Sequence, residues 1–118
     1  MLKVNESKID SVAIIEIEGE VDLYSSPEVR KVIMRLTKNQ TPTILVNLGK
    51  VSYMDSSGVA TLVEGLQQAN KYGGKLKLAN LQDSVKEVFE LSRLDKVFDI
   101  YDNVEEALQS LKEDGKGQ

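Results

Sequence analysis

The chain contains no cysteine, no histidine and no tryptophan, and only two phenylalanines and two prolines among its 118 residues. Without cysteine there is no disulfide, no thiolate nucleophile and no zinc site of the usual kind. Without histidine the commonest general base is missing, and with it the middle member of a Ser-His-Asp relay. Any metal would have to be a hard cation held by carboxylates, and no catalytic residue, metal or cofactor is expected. With so few aromatics, Val, Ile and Leu must fill the interior. Uninterrupted apolar runs reach only about four residues, far short of the roughly 20 that span a bilayer. Met1 to Glu6 is too polar for a secretory signal, so no membrane insertion and a cytoplasmic location are expected. The net charge is −4 and the basic residues are scattered; nucleic-acid binders concentrate theirs on one face, and no direct nucleic-acid contact is expected.

What is present is a regular alternation of strand and helix patterns. Val12 to Glu18 reads as a strand with Ala13, Ile15 and Ile17 on one face. Lys3 to Glu6 can pair with it through a turn over Ser7 to Ser11. Ser25 with Glu28 forms a capping-box pattern, Pro27 suits a first turn, and Val29, Val32, Ile33 and Leu36 repeat at helical spacing. Gln40-Thr41-Pro42 breaks the chain before Ile44-Leu45-Val46, a run suited to a strand covered on both faces.

A second helix carries Val59, Leu62, Val63 and Leu66 inward and stops at Gly73-Gly74, which suits a left-handed cap. Lys75 and Lys77 alternate with Leu76 and Leu78 in the next strand. Ser84 and Glu87 repeat the capping-box pattern before Val85, Val88, Phe89 and Leu91. Val97 to Tyr101 reads as the last strand, and Asn103 caps a final helix with Val104, Ala107, Leu108 and Leu111 inward. The expectation is one α/β domain over residues 1–112, with a mostly parallel sheet of about five strands and about four helices. Residues 113–118 are expected to form a flexible C-terminal tail.

In open α/β sheets function sits beyond the carboxyl ends of strands. Two segments there are rich in small polar residues: Asp22 to Ser26, and Asp55-Ser56-Ser57-Gly58, which opens directly into a helix. A hydroxyl at a helix N-terminus lies beside free backbone N–H groups and the positive end of the dipole, a favourable place for a phosphate. Gly58 removes a side chain where another molecule would need to approach the backbone. The same residue types are also what ordinary N-caps are made of, so composition alone leaves both readings open. Met54 reads as core filler, and Tyr24 and Tyr53 as either surface or half-buried packing.

The string Val51-Ser52-Tyr53-Met54-Asp55-Ser56-Ser57-Gly58, following Ile44-Leu45-Val46-Asn47-Leu48, resembles the motif of the STAS domain family, named for sulfate transporters and anti-sigma factor antagonists. The resemblance extends to Gly19-Glu20-Val21-Asp22 with the Pro27 helix, to Gly73-Gly74-Lys75-Leu76, and to Val88-Phe89 followed by Leu94. It implies a STAS fold and, in the anti-sigma factor antagonist type, a phosphate acceptor at the serine after the motif aspartate, here Ser56. Asp22 and Asp55 match the acidic neighbours of that site. Ser57 matches the cap position and Gly58 the close-approach position, with Tyr24 and Ser25 beside them on the binding surface. Many antagonists have glycine where this chain has Ala60.

The implied role is a phosphoprotein that regulates transcription by binding an anti-sigma factor with serine kinase activity, with a PP2C-like phosphatase reversing the mark. The rival within the family is a non-phosphorylated scaffold subunit of a transport or stress-sensing complex, in which the motif serves as cap and docking surface only. An aspartyl-phosphate receiver is disfavoured because no adjacent acidic pair follows a first strand. A serine hydrolase is disfavoured because Asp55-Ser56-Ser57-Gly58 is no nucleophile elbow, and no phosphate-cradling Gly-rich loop is present.

Overall fold

Continuous burial of Val12 to Ile15 at the start of β2 (Val12–Val21) sets the plan of the molecule, because both faces of that strand meet apolar partners. In the computed structural model, which describes residues 2–116, the element order is β1 (Lys3–Ile9), β2, α1 (Ser26–Lys38), β3 (Thr43–Met54), α2 (Ser56–Lys71), β4 (Lys75–Ala79), α3 (Asp83–Leu91), β5 (Asp99–Tyr101) and α4 (Val104–Lys116). A 3₁₀ turn at Leu94–Lys96 precedes β5. The sheet order is β1-β2-β3-β4-β5, with β1 antiparallel to β2 and every other pair parallel. This is the expected strand and helix count and the expected mostly parallel sheet.

Period-two alternation divides the core between the faces. Ala13, Ile15 and Ile17 join Ile44, Val46 and Leu48 and Leu76 and Leu78 beneath Val29 and Ile33 of α1, Leu62 of α2 and Phe89 of α3. Val12, Ile14, Leu45 and Ala79 face the other way and meet Ala107 of α4. Three crossovers thus cover one face and the last helix covers part of the other. Fully burying each Val, Leu, Ile or Phe contributes about 1.5–3 kcal/mol, which is why an interior almost without aromatics suffices.

Several local readings differ from the sequence expectation. The hairpin turn is Asp10-Ser11 alone, since β1 pairs through Ile9↔Val12, with Asp10 taking the left-handed conformation at φ 54°. Ser7 to Ile9 therefore belong to the strand. Neither expected capping box forms: Ser25 makes no side-chain cap bond to α1, and Ser84 donates its hydroxyl to the Ser52 carbonyl at 3.0 Å while Gln82 stands at the α3 N-cap. Leu91 lies outside the core at 79% exposure, and Val97 precedes rather than begins the last strand. The Asn103 cap does form, accepting from the Glu106 amide at 2.8 Å. Helix α4 runs to Lys116, beyond Lys112, where the domain was expected to end; the rest of the expected tail, residues 117–118, lies outside the described residues.

The glycine stop of α2 takes the expected form. Gly73 has φ 78°, and the Gly74 amide reaches the Ala69 carbonyl at 2.9 Å while the Gly73 amide reaches Asn70, the paired bonds of a Schellman ending.

Lys77 departs most from a simple strand reading. It is only 3% exposed, with Nζ 3.3 Å from Asp99 Oδ2 and donating to Tyr101 Oη at 2.9 Å. Burial pulls its pKa down, but the Tyr101 hydrogen bond and the Asp99 charge outweigh that and leave it raised. A cation with a raised folded pKa stabilises fully below its unfolded value and loses that contribution as pH rises through the folded one. Urea unfolding midpoints should therefore fall as pH climbs past about 10.4. Lys77→Met keeps the aliphatic packing and should lose that part of the alkaline dependence.

Candidate functional site

Strand β3 is longer than its partner needs, and this brings the site together. Opposite β2, the register slips between Glu16 and Glu18 and again between Gly19 and Glu20. Gly19 sits at φ 121°, a conformation closed to most side chains. Bulges of this kind bend a strand and re-aim its end. The motif segment Val51 to Met54 is consequently strand rather than loop, and Met54 finishes directly opposite Val21. The Asp55 amide then donates to the Val21 carbonyl at 3.1 Å. The two polar segments, distant in sequence, leave the sheet side by side.

The first is a turn organised by Asp22. Its Oδ1 accepts from the Tyr24 and Ser25 amides, both at 3.0 Å, and its backbone carbonyl accepts from the Ser26 amide at 2.8 Å. Ser25 Oγ closes the turn by accepting from the Asp22 amide at 2.9 Å and donating to the Glu20 carbonyl at 2.8 Å. The Ser25 amide is the main reason the Asp22 pKa is lowered; desolvation opposes it, and the Ser25 hydroxyl and Tyr24 amide add to the lowering. The contribution of this turn is complete above the ordinary carboxylate pKa and fades as pH falls through the lowered value. At the tip stand Leu23, 66% exposed, and Tyr24, 89% exposed.

The second is the start of α2. Asp55, not Ser57, is the N-cap: its Oδ1 accepts from the Ser57 amide at 2.9 Å and the Gly58 amide at 3.3 Å. Ser56 is the first helical residue and exposed, while Ser57 is half-buried. Among the described residues the Ser56 hydroxyl has no hydrogen-bond partner. Ala60, one helical turn on, is exposed as well, so Ser56 and Ala60 share a face.

Gly58 is buried, with its missing side chain directed at the strand ends. A methyl there would come within 2.7 Å of Met54 Cγ and 2.8 Å of Val21 Cγ1, so the missing side chain lets α2 close onto the ends of β2 and β3. Met54 is buried core, and Tyr53 lies at the surface, 49% exposed.

All the expected residues thus gather at the carboxyl edge of β2 and β3, although no hydrogen bond joins Asp22 or Tyr24 to Ser56 among the described residues. Leu23 went unnoticed in the sequence. The signal was available: an apolar residue between Asp22 and Ser25, where a side-chain-closed turn leaves the intervening residues pointing outward. Among the described residues, no group of three or more Asp or Glu is arranged to hold a metal ion, and no helix is long and apolar enough to cross a membrane.

Residues 3–107 match the family model of the STAS domain. The chain belongs to the STAS domain family. It is 35% identical over 99 residues to the anti-sigma-B factor antagonist of Bacillus subtilis, covering 84% of this chain and 86% of that protein. The anti-sigma factor antagonist of Mycobacterium paratuberculosis superposes with a TM-score of 0.88 at 20% identity, over 95% of each chain. SpoIIAA of Bacillus in its phosphorylated form superposes with a TM-score of 0.74 at 23% identity, over 92% of this chain and 99% of that one. These two likenesses show that the fold is shared.

Proposed function

We propose that this STAS protein is an anti-sigma factor antagonist: a binding module without catalysis of its own, switched by phosphorylation of Ser56. The observation that carries the reading is the Ser56 hydroxyl, exposed on the first residue of α2 and unpartnered among the described residues. The 35% identity to an anti-sigma-B factor antagonist over most of both chains supports the same role.

In the unmodified state the edge formed by the Asp22 turn and the α2 start binds an anti-sigma factor that is also a serine kinase, releasing a sigma factor for transcription. The partner supplies nucleotide, cation and the groups that activate the hydroxyl. Ser56 Oγ attacks the γ-phosphorus of the ATP held by the partner, the bond to the β–γ bridging oxygen breaks, ADP leaves, and the hydroxyl proton passes to a base of the partner. A PP2C-like phosphatase hydrolyses the ester and restores the binding state.

The cap geometry changes what the added charge meets. The Ser57 and Gly58 amides that would welcome a phosphate are already held by the Asp55 carboxylate. A phosphoryl group on Ser56 therefore faces a like charge at close range before it gains helix-end stabilisation. Differential binding follows, since the bound state, stripped of water, tolerates that crowding less than the free state.

Incubation with the anti-sigma factor kinase of the same genome and ATP should add the mass of one phosphoryl group to the intact chain. Ser56→Ala should take up none. Undiminished uptake by Ser56→Ala would overturn the assignment of the acceptor.

A further inference from the structure

We infer that the Leu23–Tyr24 tip is the apolar anchor of the docking surface, seated in an apolar hollow on the anti-sigma factor, and that Asp22 serves it as a positioning residue through its oxygen rather than its charge. The inference rests on the functional reading above and deepens it.

Leu23 and Tyr24 are consecutive and exposed by 66% and 89%, on a surface where 29% of the chain is charged. Single exposed apolar residues need no explanation, but these two occupy the tip of a turn whose shape is over-determined. Two backbone amides converge on one Asp22 oxygen, and the Ser25 hydroxyl bridges Asp22 to Glu20. A tip held in one shape surrenders little conformational entropy on binding, which is how preorganised loops gain affinity. Tyrosine is also the kind of side chain that dominates interface energetics, through a large rigid area that loses few rotamers.

Position commits the tip to the same partner. Val21 pairs with Met54, and the Asp55 amide binds the Val21 carbonyl, so the tip begins two residues from one strand end and Ser56 two residues from its neighbour. A protein that reaches the Ser56 hydroxyl covers the tip in the same footprint. Leu23 and Tyr24 carry no charge of their own, so apolar contact is the attraction that the tip itself provides.

Asp22 is the matching acidic neighbour of the phosphosite, yet its oxygen is engaged within its own turn and no hydrogen bond links it to Ser56 among the described residues. Asparagine presents the same acceptor without the charge and suits the same turn.

The test uses calorimetry on the full chain with each anti-sigma factor kinase of its own genome. The double variant Leu23→Ala/Tyr24→Ala should bind about thirty-fold more weakly, with its thermal midpoint unchanged because both side chains are exposed. Asp22→Asn should stay within about three-fold of the parent, whereas Asp22→Ala should lose about ten-fold as the turn loosens. Parent-like binding by the double variant overturns the anchor while leaving the switch intact. Asp22→Asn as weak as Asp22→Ala overturns the positioning role and makes the charge itself necessary. If the parent binds none of these kinases, the functional reading fails and the anchor with it.

Discussion

Phosphorylation of Ser56 should weaken binding to the anti-sigma factor about a thousand-fold, Ser56→Asp at least about ten-fold, and Ser56→Ala hardly at all. The argument is one of competing magnitudes. Negative charge at a helix start is stabilised by about 0.3–1 kcal/mol, and by about 2 kcal/mol in a partly buried setting. Here that gain is largely pre-empted, because the Asp55 carboxylate already holds the Ser57 and Gly58 amides. Against it stands the cost of desolvating a group carrying about −1.5 to −2 charges beside another carboxylate, several kcal/mol in a closed interface. A thousand-fold loss requires only about 4 kcal/mol. Repulsion at the interface is therefore sufficient, and no rearrangement of the fold is needed. Ser56→Asp carries less charge on a shorter arm, hence its smaller effect. Calorimetric affinities of the parent, the phosphorylated chain and both variants decide the matter: equal binding by the parent and Ser56→Asp would defeat the repulsion account.

Gly58→Val should destabilise the fold by about 3 kcal/mol, the upper end of what overpacking costs. Gly58→Ala should cost less. An added methyl would lie 2.7 Å from Met54 Cγ and 2.8 Å from Val21 Cγ1. Met54 can swing aside, but Val21 is stiff at χ1 and only 1% exposed. Alanine recovers up to about 1 kcal/mol of helix propensity over glycine, which offsets part of the clash. Valine forfeits most of that gain and adds two methyl groups to the same space. Because Val21 and Met54 end the strands that carry the Asp22 turn and the Asp55 cap, relief of the clash must move one loop relative to the other. In urea the midpoint should fall with the slope unchanged. Affinity for the anti-sigma factor should fall too at temperatures where the variant remains folded. A midpoint equal to that of the parent would show that α2 can lift from the sheet without cost.

The order of elements, the mostly parallel sheet and the motif that announces Ser56 were legible in the residues themselves. They rest on local patterns: alternation in Val12 to Glu18, helical spacing from Val29 to Leu36, glycines at 73 and 74, and the string from Val51 to Gly58. Residue type and near-neighbour spacing are all that such patterns need. Three-dimensional packing decided the rest. The two bulges in the pairing of β2 with β3 depend on what lies alongside, so the long reach of β3 to Met54 has no local signal.

Ser25 and Ser84 carry good capping-box spacing, yet other partners claimed their hydroxyls: the preceding Asp22 turn in one case and, from across the fold, the Ser52 carbonyl in the other. Side-chain oxygens go where an unpaired backbone group must be satisfied, and sequence does not say which group that will be. Lys77 looks like one more polar residue on an alternating strand until Asp99 and Tyr101 arrive from β5 to hold its ammonium group. Gly58, read alone, suits a surface that a partner approaches closely; only the converging ends of β2 and β3 show that the space is filled from within. Sequence alone determined which elements form and which hydroxyl lies at the head of a helix. Tertiary structure decided what surrounds that hydroxyl, because close packing and the pairing of buried polar groups are properties of chain segments brought together, not of neighbours in the chain.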